Sequence, residues 1–322
     1  MITVVTTHNF KIFKLFYTHK HHQFLNKRLF LYVDQDDSSE FCKIIDPKTT
    51  TIFDKNDFRK YYGKNYLETL TTFSKVYFLN MLLKENLIDD SFYFTDDDVL
   101  FFNDSFEKVV ESEKAIYAKD MFLKIHEYYN EWPKIKNWIN ENYRDDYTLS
   151  ACATNFYFPK NTIPELRKHF TKHFDECISI LYDDREYIQK LNEKSKSTRN
   201  ASAQVFYIDT PFLNIVFPKI GLENYTLSQI YLSFYSHLRG IKEKLNTIKT
   251  HDIIEKYFSK MKEYPARQPL VHFSVTNKFP LMRDCYNYFN GQNYVHENID
   301  DILKENPREK KKLLKPKVKK LF

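Results

Sequence analysis

The chain has 322 residues, a net charge of +6 and only 4 glycines. That length can bury a full hydrophobic core, but Gly63, Gly221, Gly240 and Gly291 are too scattered for a P-loop or a GxGxxG turn. The four cysteines, Cys42, Cys152, Cys177 and Cys285, include no CxxC pair, which argues against finger-type zinc and a disulfide scaffold and for reduced thiols.

Along the chain, residues 2–6 are β-branched and apolar and end at the polar Thr7, His8 and Asn9, which predicts a buried strand. Residues 10–24 read as helical, and residues 28–33 as a second strand running into an acidic loop at Asp34. Between 67 and 87, Leu67, Leu70, Tyr77, Met81 and Leu82 recur near helical spacing, so an amphipathic helix about 20 residues long is expected. Residues 91–95 form a short strand, with further strands expected at 115–118 and 149–158. Residues 160–200 are charged and helical in pattern, ending in a Ser/Asn-rich loop at 195–202, and residues 225–264 again read as helical. Strands alternating with helices predict an α/β fold with a mostly parallel sheet flanked by helices, a helical C-terminal region and a basic tail. Ligands of such sheets collect at the carboxyl ends of strands.

The sharpest constellation is the apolar run Phe92, Tyr93, Phe94, Thr95 followed at once by Asp96, Asp97 and Asp98. Packed carboxylates repel one another, so a divalent cation is what stabilises such a cluster. Mg²⁺ or Mn²⁺ is commonly held by one or two carboxylates with substrate phosphates completing the shell. If the strand continues, its alternation points Asp96 and Asp98 one way and Asp97 the other. The competing reading is an acidic turn that caps the next element.

This segment resembles the DxD motif of glycosyltransferases of the GT-A fold, which follows a hydrophobic strand in the same way. The resemblance implies that Asp96 and Asp98 hold Mn²⁺ or Mg²⁺ against the diphosphate of a nucleotide sugar, with Asp97 near the sugar or ribose. Three further segments are similar to the glycogenin-like (family 8) branch. Lys75, in the helix before the DxD strand, matches a basic residue placed near the donor. Asp209, before Leu213 and Asn214, matches an aspartate lining the sugar and is the candidate catalytic residue; Thr210 and Pro211 depart from the usual amide and second acid. His272 and Lys278 match a late segment whose His is the third metal ligand and whose Lys contacts phosphate, although the usual glycine is missing. Thr6, at the end of the first strand, joins Lys75, Asp97 and Lys278 as an expected donor contact. Residues 1–290 are then the GT-A-like catalytic domain, with a nucleotide-sugar half at about 1–120 and an acceptor half at about 120–290, followed by a polar and basic C-terminal tail over 291–322. The resemblance to a retaining branch points toward retention of configuration.

Residues 308–320 carry eight basic residues against one acidic, which accounts for the positive excess and leaves the body nearly neutral. With Leu313, Leu314, Leu321 and Phe322 beside them, these charges suit an anionic membrane surface or nucleic-acid phosphates. The implied activity is transfer of a sugar from a nucleoside-diphosphate sugar to a glycan, lipid-linked or other acceptor. Alternatives are transfer onto modified DNA bases, a nucleotidyltransferase, or a non-enzymatic nucleic-acid or membrane binder. No basic leader or apolar run of about 20 residues is seen, so a cytoplasmic location, free or peripheral to a membrane, is expected.

Overall fold

The computed structural model describes residues 1–68, 70–101, 115–120, 132–142, 150–195, 208–220, 225–227, 229–231, 270–272, 279, 282, 283, 286 and 287. The chain forms two compact units. The first takes residues 1–10, 24–97 and 105–228; the second takes 11–23, 98–104 and 229–322.

The first unit is built on a seven-stranded sheet. In chain order its strands are β1 (Ile2–Thr7), β2 (Arg28–Val33), β3 (Thr50–Phe53), β4 (Phe92–Asp96), β6 (Ile116–Asp120), β7 (Ser150–Phe158) and β8 (Tyr225–Leu227). Their spatial order is β3-β2-β1-β4-β7-β6-β8. β3, β2, β1 and β4 are mutually parallel, β7 runs antiparallel to both β4 and β6, and β8 is parallel to β6. The fold is therefore α/β with a mostly parallel sheet, as the alternating pattern predicts. All six residues of β1 are buried, as expected of a central parallel strand covered on both faces.

The flanking helices of this unit are α2 (Ser39–Cys42), α3 (Lys55–Tyr62), α4 (Ser74–Lys84), α5 (Pro133–Asn142), α6 (Ile163–Asp183), α7 (Arg185–Ser195) and α8 (Asp209–Val216). α3 starts at a capping box in which the Asp54 side chain accepts from the amides of Asn56 and Asp57, while Asp57 reaches back to the Asp54 amide. α4 corrects the expected 20-residue amphipathic helix. It has 11 residues, and Ser74 through Leu83 are all buried, because the sheet, α6 and α8 leave it no solvent face. The Leu83 carbonyl in its last turn, which has no intrahelical partner, accepts from Arg167 Nε of α6 at 2.8 Å, and a terminal nitrogen of Arg167 donates to the Ile88 carbonyl beyond the helix at 3.3 Å.

The aromatic excess is spent on this core. Tyr32 stacks on Phe58 at 4.1 Å, Phe94 stacks on Phe156 at 4.6 Å, and Phe73, Tyr77, Phe174 and Phe212 interlock edge to face. Such pairs stabilise by roughly 0.5–1.5 kcal/mol beyond the area they bury. Among the described residues, Tyr61 is the exposed large hydrophobic.

The second unit contains most of α1 (Phe10–Tyr17) and a three-stranded sheet of β5 (Val99–Phe101), β10 (Leu270–His272) and β9 (Gln229–Tyr231), ordered β5-β10-β9. β10 is antiparallel to β5 and parallel to β9. The helix expected over 10–24 stops at Tyr17. The expected helix from 225 begins instead with the strands β8 and β9, because their backbone groups find sheet partners that local spacing does not reveal. The rest of that span, the 196–202 loop and the 291–322 tail lie outside the described residues. Among the described residues no helix is long and apolar enough to cross a membrane. Cys42 is an exposed free thiol and Cys177 a buried one.

Candidate active site

β1 and β4 are adjacent and parallel, so their carboxyl ends finish at one level, with Thr6 opposite Asp96. The Thr6 hydroxyl donates to Asp96 Oδ1 at 2.7 Å. Lys75, on the first turn of α4, donates from Nζ to the other oxygen of Asp96 at 2.8 Å and lies 3.4 Å from Asp209 Oδ2. The ammonium is 8% exposed at residue level, so the two carboxylates act on it with little screening. Lys75 is therefore a buried cation and not part of a solvated helix face.

Asp209 opens α8, where the positive end of the helix favours a carboxylate. It is 3% exposed. Burial pushes its pKa up to about 6, Lys75 pulls it down, and Asp96 pushes it up again. One of its oxygens faces Lys75. The other, Oδ1, is buried with no hydrogen-bond partner among the described residues. Buried acceptors of this kind are rare and call for a water, an ion or a ligand.

β4 stops at Asp96, and Asp97 and Asp98 form a turn into β5. The strand alternation expected to carry through the three aspartates therefore ends at the first of them. Asp97 is buried and accepts from the Thr7 hydroxyl at 2.6 Å. Thr7 was not among the candidate site residues, although its place at the polar end of β1 was a usable signal.

In the second unit, Asp98 immediately precedes β5, and Val99 pairs with His272 in the antiparallel register. This pairing sets His272 Nε2 3.5 Å from Asp98 Oδ1, with both side chains buried. Carboxylate oxygen and imidazole nitrogen are donors that suit Mn²⁺, and the carboxylate alone suits Mg²⁺. Among the described residues, no three of His, Cys, Asp and Glu are grouped as a metal-holding set. The sequence candidates thus fall into two groups, Thr6, Lys75, Asp96, Asp97 and Asp209 in one unit and Asp98 with His272 in the other. Lys278 lies outside the described residues.

No family model and no curated protein matches the sequence. Solved structures do resemble it. A galactosyltransferase, LgtC, in complex with donor and acceptor sugar analogs is 15% identical with a TM-score of 0.48, over 94% of this chain and 100% of that chain. The structures it resembles are glycosyltransferases. The bifunctional glycosyltransferase WbbM in its apo form is 12% identical with a TM-score of 0.45, over 94% of this chain and 51% of that one. Mouse xyloside xylosyltransferase 1, also apo, is 10% identical with a TM-score of 0.39, over 86% and 98%. Identities and scores this low leave the function to be read from this chain's own residues.

Proposed function

We propose that this protein transfers a sugar from a nucleoside-diphosphate sugar to a glycan, lipid-linked or other acceptor, using Mn²⁺ or Mg²⁺. The observation that carries the reading is the buried Lys75 between Asp96, at the carboxyl end of β4, and Asp209, at the start of α8, with one Asp209 oxygen left without a hydrogen-bond partner among the described residues. A diphosphate sugar brings an anion that needs cationic groups and an anomeric carbon that turns positive as the leaving group departs.

In this reading Thr6 and Lys75 hold Asp96 in one orientation, and Asp97 is a donor contact beside it. Asp96 and Asp98 are the carboxylate ligands of the cation and His272 is the imidazole ligand. A bound cation supplies Lewis-acid stabilisation of negative charge on the departing diphosphate. Lys75 keeps a positive charge beside the aspartates, and Lys278 is assigned a phosphate contact. The Asp209 carboxylate offers its Oδ1 to the sugar and stabilises the oxocarbenium-like transition state electrostatically. The basic tail is assigned to an anionic surface, membrane or nucleic acid.

The test is a thermal-shift screen of nucleoside diphosphates and their sugars, each with and without Mn²⁺, on the wild type and on Asp96→Asn. Stabilisation by one nucleotide class, dependent on Mn²⁺ and absent in the variant, is expected. Failure of every nucleotide to stabilise the wild type overturns the proposal.

A further inference from the structure

Among the described residues β5 has three residues and one strand partner, β10, and stands at the edge of its sheet. So short a pairing is marginal by itself. In an antiparallel ladder, alternate residues turn both backbone groups away from the partner, and at an edge those groups need something else to bond. At Phe101 both are taken by imidazoles. The Phe101 amide donates to His22 Nε2 at 3.1 Å, and the Phe101 carbonyl accepts from His19 Nε2 at 2.5 Å.

The acceptor role of His22 Nε2 puts its proton on Nδ1, which donates to the Phe16 carbonyl at 2.8 Å. The imidazole therefore links the end of α1 to the edge of β5. The rings are packed as well as bonded. His22 lies edge-on to Phe16 at 4.5 Å and to His19 at 4.8 Å, and His19 tilts against Tyr286 at 5.8 Å. Both histidines are almost fully buried.

We propose that His19 and His22 are positioning residues that clamp Phe101 at the end of β5 and so hold Asp98 beside His272. The geometric link is short. Phe101 is three residues from Asp98, and Val99 between them is the register partner of His272. Release of Phe101 frees β5 to slide or fray, and Asp98 is the residue its start carries. Burial keeps His19 neutral, with its pKa pushed down to about 4, and holds His22 well below the usual histidine value. Both imidazoles thus keep the donor and acceptor roles the clamp requires at ordinary pH. This inference rests on the proposed metal role for Asp98 and His272 only in its functional consequence, since the clamp is read from backbone bonds.

The test uses the full chain. His19→Phe keeps ring packing but removes the donor to the Phe101 carbonyl, whereas His19→Gln keeps a donor. Amide hydrogen exchange at Phe101 and Mn²⁺ affinity, measured with Mn²⁺ alone by electron paramagnetic resonance, are read together. His19→Phe is expected to exchange Phe101 at least tenfold faster and to bind Mn²⁺ about tenfold more weakly, with circular dichroism unchanged and His19→Gln closer to wild type. An unfolded His19→Phe passes the decision to His19→Gln against His19→Ala under the same two readouts. Unchanged exchange at Phe101 overturns the clamp, and faster exchange with unchanged Mn²⁺ affinity overturns the positioning role. Equal Mn²⁺ binding by wild type and Asp98→Asn overturns the metal reading separately, and exchange at Phe101 then decides the clamp.

Discussion

Asp209→Asn is expected to make the protein more stable while it removes transfer. The Asp209 carboxyl is fully enclosed and its pKa stands at about 6 instead of the ordinary 3.8. Holding it ionised in the folded state therefore costs on the order of 3 kcal/mol at neutral pH. The folded state binds the proton more tightly than the unfolded chain does, so stability falls as pH rises from about 3.8 to about 6 and the cost is complete above that. Asn resembles the protonated acid and carries no such cost, and Lys75 retains Asp96 as its partner. Urea unfolding at pH 7.5 should place the variant about 3 kcal/mol above wild type, a midpoint shift of roughly 1 M. At pH 4 the gap should shrink to about 0.5 kcal/mol. A variant less stable than wild type at pH 7.5, or a gap equal at both pH values, refutes the reasoning. Sugar transfer measured on the same preparations should be lost, as expected where charge serves function against stability.

Lys75→Met leaves Asp96 and Asp209 without their shared ammonium and should destabilise the protein by about 3–5 kcal/mol, read by denaturation at pH 7.5. The same change removes the group that pulls Asp209 down, so its titration should move above 6. In the wild type kcat/KM should fall as pH drops through about 6, because Asp209 takes up its proton there; a profile flat from 7 to 5 would count against its role. Asp54→Ala removes the α3 capping box and should cost about 1 kcal/mol with no change in turnover. Phe78→Ala empties a fully buried position and should cost about 3–5 kcal/mol in a thermal or urea melt. Deletion of residues 307–322 should abolish binding to either anionic liposomes or DNA while leaving hydrolysis of the sugar nucleotide intact, and separate pull-downs distinguish the two.

The strands at the heart of the sheet were legible because each is short, apolar and bounded by polar residues. β1, β2, β4 and β7 lie within a residue or so of where the pattern puts them. β3, α3 and α5 passed unread, since Thr50–Phe53 is half-exposed at the sheet edge and the two helices bury only a few residues each. α4 misled for the opposite reason. Its apolar residues run all round the helix, and no periodicity marks where such a helix begins.

By itself the sequence determined the local chemistry: an apolar strand delivering three aspartates, a lysine one helix earlier, an aspartate shortly before Leu213 and Asn214, and a basic tail. Which of these groups meet was decided by tertiary structure. Parallel register brings Thr6 to Asp96 across 90 residues, burial of α4 sets Lys75 between two carboxylates, and antiparallel register brings His272 to Asp98. The three adjacent aspartates each meet a different side chain, because β4 ends at Asp96 and a turn follows: Lys75, Thr7 and His272. Spacing along a chain reports which side chains share a local face. Only strand register and packing choose the partners that set their charge and their pKa.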